Sequence, residues 1–436
     1  MRHSQRHIAR FWAPLAATWL MMAFEGPFLA AVIARLPDET FNLAAHGVAF
    51  AFAILIEAPV IMLMSAATAL VGDRESYSRL RVFARWLGLG STGLLLFVLV
   101  PPVYRFLMYT VIGLPEAVAE LTYGALWLFL PWPGAIGYRR FLQGVLIRAG
   151  RTRLVAYGTV VRLLAMAGAA LFGFLFLDIP GAWVGAMSLS VGVVSEAGSA
   201  RWMARHTIRE VVATHMPEGE EPISYREILH FYYPLALTSL IGLTVQPMLT
   251  FFMGRAPAPV ESLAVVPVVH ALLFVFRSLG LAFQDAAIAL MGERHRHLPE
   301  LGTFTALLGG GASAVLALVA FTPLADVWFV TISGLTPELS AFAYTPARIM
   351  VPLAALSVLL SLQRAILVNV RRTRPITLAT AIEVGVIALT FPALGWGVGV
   401  VGVTAAFTAF VAGRASSNVF LALRCIRVVR EYRSAA

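Results

Sequence analysis

The chain has 436 residues, of which 59% are hydrophobic and only 13% charged, with a formal net charge of +10. Soluble domains carry roughly a quarter of their residues as charges, so this composition excludes a globule clothed in polar surface. The single cysteine, Cys425, excludes an internal disulfide and any cysteine-built metal site.

Apolar runs long enough to cross a bilayer, about 20 residues each, are predicted in chain order at 11–35, 43–71, 83–111, 117–148, 154–177 and 182–205. A second set follows at 225–254, 260–291, 298–323, 336–370, 377–394 and 398–424. Met1 to Arg10 is basic and runs directly into the first span, which is not the pattern of a cleaved signal peptide. Prolines at Pro101-Pro102, Pro131, Pro133, Pro346 and Pro352 predict tilts or kinks. Between the sixth and seventh spans lies one extended polar stretch, 206–224, with Glu218, Glu220 and Glu221.

The two sets repeat each other. Phe11, Pro14, Pro27, Arg35 and Gly72 fall 220 positions before Phe231, Pro234, Pro247, Arg255 and Gly292, and Gln143 falls on Gln363. One residue out of phase, Arg151-Thr152-Arg153 matches Arg372-Thr373-Arg374. Duplicated halves of this kind build many transporters, with the substrate site between them. An even number of spans per half makes the repeats parallel, which gives an expected organisation of an N-terminal six-helix bundle (1–205), a linker (206–224) and a C-terminal six-helix bundle (225–436). Both the major-facilitator and the MATE-like architectures fit that description.

Every strongly basic residue is arginine, and they gather on one side of the spans, as at Arg6 and Arg10, Arg74 to Arg81, Arg148 to Arg153, Arg201 to Arg209, Arg294 and Arg296, Arg371 to Arg374, and Arg424 to Arg433. The positive-inside rule makes these segments and both termini cytoplasmic. The net charge is then topology and contact with anionic lipid, and no nucleic-acid partner is expected. The expected location is a bacterial cytoplasmic membrane.

Ionisable residues inside the spans carry the chemistry, since an unpaired ion in hydrocarbon costs at least ~3 kcal/mol. They are Glu25, Glu57, Arg162 and Glu196 in the first half, and Arg277, Asp285, Arg348, Arg364, Glu383 and Arg414 in the second. On the repeat, Glu57 meets Arg277, Arg162 meets Glu383 and Glu196 falls near Arg414, so acid-base-acid becomes base-acid-base. Two readings stay open: each triad is a structural ion network, or the leftover charge, negative in the first half and positive in the second, faces a shared cavity. His270, Arg277 and Gln284 share one stripe of the eighth span, with Asp285 beside it; His46 and Glu57 form a weaker stripe on the second. A lone histidine in a span is otherwise an interhelical hydrogen-bond donor. Glu25-Gly26-Pro27 and Gln246-Pro247 interrupt the first and seventh spans at matching places, and such breaks point to binding sites. Glu25 beside its break suits coupling to a proton or cation. No nucleotide loop, H-E-x-x-H or C-x-x-C motif is present; no enzyme, cofactor or metal is expected. Gly309 to Gly311 reads as close helix packing.

The run Phe231 to Leu237 (FYYPLAL), followed by Pro247, Phe252, Arg255 and Pro267-Val268-Val269-His270, resembles the progressive ankylosis protein (ANKH) family of the MATE-like superfamily. Phe11, Pro14 and Phe24-Glu25 are similar as well. The resemblance covers nearly the whole chain and implies a bacterial-type, twelve-helix MATE-like transporter that exports polyvalent anions such as citrate, nucleotides or pyrophosphate. His270 lies in the matching motif; Arg277 falls outside it, and the family's acidic tail is missing.

The resulting expectation is an all-α polytopic secondary transporter of two pseudo-symmetric six-helix bundles, monomeric, working by alternating access on a small organic anion. Arg277, Arg364 and Arg414 would bind charge, His270 and Gln284 would orient the anion, and Glu25, Glu57 or Asp285 would couple a proton or sodium ion. The alternatives are a flippase for lipid-linked saccharide, a cation or drug antiporter, and a non-transporting membrane scaffold.

Overall fold

Helix ends in this chain follow capping and proline chemistry. The computed structural model describes residues 4–214, 222–291, 296–370, 372 and 374–434. The polar run 215–221, Gly292, Arg294, Arg371 and Thr373 lie outside the described residues, and so does the side chain of Asp285.

The first half comprises α1 (Gln5–Ala23), α2 (Glu25–Ile33), α3 (Glu39–Ile61), α4 (Leu63–Leu70), α5 (Arg74–Val98), α6 (Pro101–Arg105), α7 (Glu116–Leu128), α8 (Trp132–Arg148), α9 (Thr152–Phe176), α10 (Gly181–Met203) and α11 (Arg205–Ala213). The second comprises α12 (Tyr225–Leu243), α13 (Val245–Met253), α14 (Pro259–Leu290), α15 (Leu298–Phe321), α16 (Leu324–Asp326), α17 (Pro337–Ile349), α18 (Val351–Asn369), α19 (Arg374–Pro392) and α20 (Gly402–Ser434). Apart from α11 and α16, these helices, singly or as interrupted pairs, make up the twelve predicted spans. Nine stretches among the described residues are long and apolar enough to cross a membrane. Leu164, Phe176 and Leu389 are 69%, 72% and 75% exposed, the outward face expected where the solvent is hydrocarbon.

Two boundaries differ from expectation. The third span, expected at 83–111, begins instead with α5 at Arg74, because Asp73 and Ser76 close a reciprocal capping box there. This helix ends at Val98, since Val100 is extended ahead of Pro101-Pro102 and the prolines open a new helix. The polar stretch 206–224 begins as helix α11, tied down by Arg151, which reaches Thr207 at 2.8 Å and Glu210 at 2.6 Å.

The repeat is visible in backbone detail. Helix breaks at Phe24 and Thr244 separate α1 from α2 and α12 from α13. Asp38 and Ala258, 220 positions apart, both take left-handed conformations (φ 55° and 52°) before α3 and α14. Asn42 Oδ1 accepts from the Ala182 amide at 2.9 Å at the start of α10, and Ser262 Oγ accepts from Val403 at 3.1 Å at the start of α20. π-helical turns at 106–112 and 327–332 close on left-handed Gly113 and Gly334.

The compact units are Met1–Arg35 with Phe252–Ala436, and Leu36–Phe251. They differ from the expected bundles 1–205 and 225–436 by one exchanged span each, for a packing reason. In the first unit Ile8 is fully buried in a core with Phe283, Phe304 and Leu421, and the Trp12 indole donates to the Leu279 carbonyl at 3.2 Å. In the second, α12 packs on α3, where the Tyr232 hydroxyl donates to the Pro59 carbonyl and its ring meets Phe83 edge-on at 5.2 Å.

Candidate functional site

Each unit buries an ion cluster at repeat-equivalent positions, and the geometry of both starts from a glycine. Gly192 of α10 and Gly413 of α20 are 221 apart, as are Arg162 and Glu383. A Cβ on Gly192 would sit 3.1 Å from the Arg162 carbonyl, and one on Gly413 would sit 2.8 Å from the Glu383 carbonyl. The Gly413 contact leaves no room for a Cβ and the Gly192 contact leaves little; they bring α20 against α19 and α10 against α9, so that charges on adjacent helices meet.

In the Met1–Arg35/Phe252–Ala436 unit, Arg414 grips Glu383. Nε lies 3.0 and 3.1 Å from the two carboxylate oxygens and Nη2 lies 2.6 Å from Oε1. Nη1 reaches Ser357 at 3.3 Å. Arg277 of α14 and Arg364 of α18 are half-buried and stand within electrostatic reach of this pair. Among the described residues neither has a hydrogen-bonded or ion-paired partner, and Arg364 Nε is buried without one. Three guanidinia thus share the field of one carboxylate, and only Arg414 is bonded to it. His270, two turns before Arg277, is half-buried and stacks on Phe274 at 6.4 Å; Gln284 is half-buried two turns beyond. The predicted stripe is a feature of α14. The predicted triad is a bonded pair, Glu383–Arg414, with Arg277 standing apart. Glu25 opens α2, with Gly26 and Pro27 in its first turn; Pro247 holds the same place in α13. A proline there gives up only an N–H that the helix start leaves unused.

The Leu36–Phe251 unit corrects the first triad. Glu196 is fully buried and accepts from Arg139 and from Gln143 at 3.0 Å, while Arg162 stands at 3.8 Å. Glu57 instead accepts from the Trp132 indole, with Arg139, Arg140 and Arg162 in electrostatic reach. Trp132 meets Phe50 edge-on at 6.4 Å, and Phe50 stacks on His46 at 6.2 Å, which links the predicted His46–Glu57 stripe through an aromatic chain. Arg139 and Arg140 are not among the ionisable residues predicted to carry the chemistry. Arg139 with Gln143 one turn on, about nine residues or roughly 13 Å inside the Arg148 end of α8, was the available signal. With them the cluster holds three guanidinia and two carboxylates, so the expectation of leftover negative charge in the first half is overturned.

Among the described residues no group of three or more His, Cys, Asp or Glu is placed to hold a metal ion.

No protein-family model and no curated protein matches the chain. Solved structures do. An inward-facing multidrug resistance MATE family transporter of the MOP superfamily superposes with a TM-score of 0.72 at 12% identity, covering 98% of this chain and 99% of that one. Lipid II flippase MurJ in an inward closed conformation gives 0.72 at 11%, covering 96% and 90%. A MOP superfamily transporter from Pyrococcus furiosus, described as having a binding pocket of reverse polarity, gives 0.65 at 14%, covering 99% and 97%. At these identities the likeness is one of architecture: the chain has the all-helical, MATE-like fold.

Proposed function

We propose that this protein is a secondary membrane transporter, working by alternating access, whose cargo is a small organic anion of the citrate, nucleotide or pyrophosphate kind exported from the cytoplasm, as the ANKH resemblance implies. The observation that carries the reading is the unbalanced cationic cluster, in which Arg277 and Arg364 have no bonded acid among the described residues beside a satisfied Arg414–Glu383 pair. Guanidinia at membrane depth are costly without a counter-ion, and a carboxylate or phosphate satisfies them by bidentate charge-assisted bonds. His270 and Gln284 flank Arg277 along α14 and would orient the bound group. Glu25, at its helix break, and Glu57, held by Trp132, are the candidates for coupling a proton or sodium ion. An excess of guanidinia in both units opposes a cation or drug antiporter.

A second reading has support of its own, since one structural neighbour is a lipid II flippase and a lipid-linked saccharide also presents phosphates. Proteoliposomes loaded with labelled citrate, pyrophosphate or ATP test the first reading. Efflux that depends on Arg277 and Arg364 supports it. Absence of flux, with stabilisation of the purified protein by undecaprenyl pyrophosphate alone, transfers the proposal to the flippase.

A further inference from the structure

A cleft of about 360 Å3 lies between α5 and α8, lined by none of the residues proposed to bind cargo. Its α5 wall is Arg81, Arg85, Gly88 and Thr92, spaced i, i+4, i+7 and i+11 and therefore on one face of the helix. Its α8 wall includes Gly134 and Tyr138. Polarity changes along the groove. The end nearer the start of α5 carries the two guanidinia and the phenol hydroxyl, and Arg201 of α10 stands within electrostatic reach of the same Tyr138. The other end is floored by glycine, a Cβ on Gly88 lying 3.6 Å from the Gly134 Cα. Arg81 spans Tyr77, its guanidinium carbon 5.6 Å from the ring centroid, and its Nε is buried without a hydrogen-bond partner. Arg85 is exposed, and Trp86 and Leu89 beside it are 71% and 62% exposed.

The repeat supplies an internal control. Gly309 and Ala355 make the equivalent close contact between α15 and α18, 221 positions after Gly88 and Gly134. In that register Arg81, Arg85 and Tyr138 are replaced by Gly302, Ala306 and Leu359. Packing of this helix pair therefore needs no charge, and the basic end of the first cleft has another use.

We infer that the α5–α8 cleft is a binding site for an anionic glycerophospholipid. The phosphodiester is held by Arg81 and Arg85 with the Tyr138 hydroxyl donating, and an acyl chain lies along the Gly88–Gly134 floor. Charge complementarity selects the anionic class: a lipid with a net negative headgroup answers guanidinia that a zwitterionic one leaves partly uncompensated. The depth fits, because the basic end is the arginine-rich end of the helix, where anionic headgroups of the cytoplasmic leaflet lie under the positive-inside assignment.

The test is native mass spectrometry of the full-length protein equilibrated with phosphatidylglycerol or phosphatidylcholine, with thermal unfolding alongside. Retention of phosphatidylglycerol over phosphatidylcholine is expected, falling roughly tenfold or more in Arg81→Ala/Arg85→Ala, since each arginine near an anionic headgroup contributes on the order of a factor of five. Arg205→Ala, on α11, is expected to leave retention unchanged. Should the double variant fail to fold, Arg85→Ala alone decides, because an exposed side chain is removed without disturbing the packing; a several-fold loss is then expected. Equal retention by the folded variants overturns the assignment. So does displacement of the lipid by equimolar glycerol 3-phosphate, which would make the site one for a soluble phosphate.

Discussion

Arg414 on α20 donates three hydrogen bonds to Glu383 on α19, and at the repeat-equivalent helix pair Arg162 on α9 stands 3.8 Å from Glu196 on α10. The helices correspond and the signs are exchanged. Such an inversion preserves attraction between the paired helices while changing the charge left over. Removing one partner of a buried pair strands the other, at a cost of about 3–5 kcal/mol. Arg414→Ala and Glu383→Gln are therefore each expected to lower the unfolding temperature in detergent sharply. The exchange Glu383→Arg with Arg414→Glu should recover part of the loss. No recovery would mean that Ser357 and the surrounding packing fix the orientation of the pair.

In the other unit the two arginines on Glu196 are unequal. Arg139 is hydrogen-bonded to it and buried, whereas Arg162 is more distant and more exposed. Arg139→Ala should destabilise by several kcal/mol, more than Arg162→Ala, because after loss of Arg162 the carboxylate keeps Arg139 and Gln143. Denaturation midpoints of the two variants settle the order; a larger effect at Arg162 would contradict the geometry.

The helix contacts beneath these pairs make a third prediction. An added methyl at Gly413 meets the Glu383 carbonyl at 2.8 Å and Ile387 Cγ1 at 2.8 Å, and at Gly192 it meets Arg162 O at 3.1 Å and Met166 Cβ at 3.0 Å. Overpacking of this kind costs about 1–3 kcal/mol, so Gly413→Ala should be the more destabilising of the two. It should also be non-additive with Glu383→Gln, since both act on the α19–α20 contact. A double-mutant cycle read by thermal unfolding measures the coupling, and simple additivity would count against a shared contact.

Much of the fold was legible because the repeat is nearly ungapped: the breaks at Phe24 and Thr244 and the start of α14 fall where Pro27, Pro247 and the 220-residue offset put them. Hydropathy alone misplaced the third span, since Arg74 to Arg81 looks like loop until Asp73 and Ser76 are seen to cap a helix. The exchange of the first span of each half between compact units depends on tertiary choices, Trp12 on Leu279 and Tyr232 on Pro59, that no local pattern encodes. For the candidate site, the sequence marked Arg162, Glu196, Glu383 and Arg414 through their positions on the repeat. It did not mark Arg139, whose counterpart 221 positions on is Leu360 and which breaks the symmetry. Nor could it show that Glu57 turns to Trp132, because three arginines lay within the same helical neighbourhood and only packing selects among donors.

The proposed anion site turns on Arg277. Its guanidinium is half-buried, is within the field of Arg364, Arg414 and Glu383, and has no bonded partner among the described residues. Glu383 is already satisfied by Arg414, so removal of Arg277 strands no acid there and relieves repulsion between guanidinia. Arg277→Ala should accordingly keep or slightly raise the unfolding temperature while abolishing efflux of labelled anion from proteoliposomes. Arg277→Lys retains the charge but loses the planar fork that binds a carboxylate or phosphate bidentately, so weak transport is expected, as a lower maximal rate and a higher half-saturating concentration. Arg364→Ala should behave like Arg277→Ala, with its thermal shift small compared with that of Arg414→Ala. An Arg277→Ala protein that unfolds, or that transports the anion at the normal rate, would identify Arg277 as a structural charge and remove the main support for an anionic cargo.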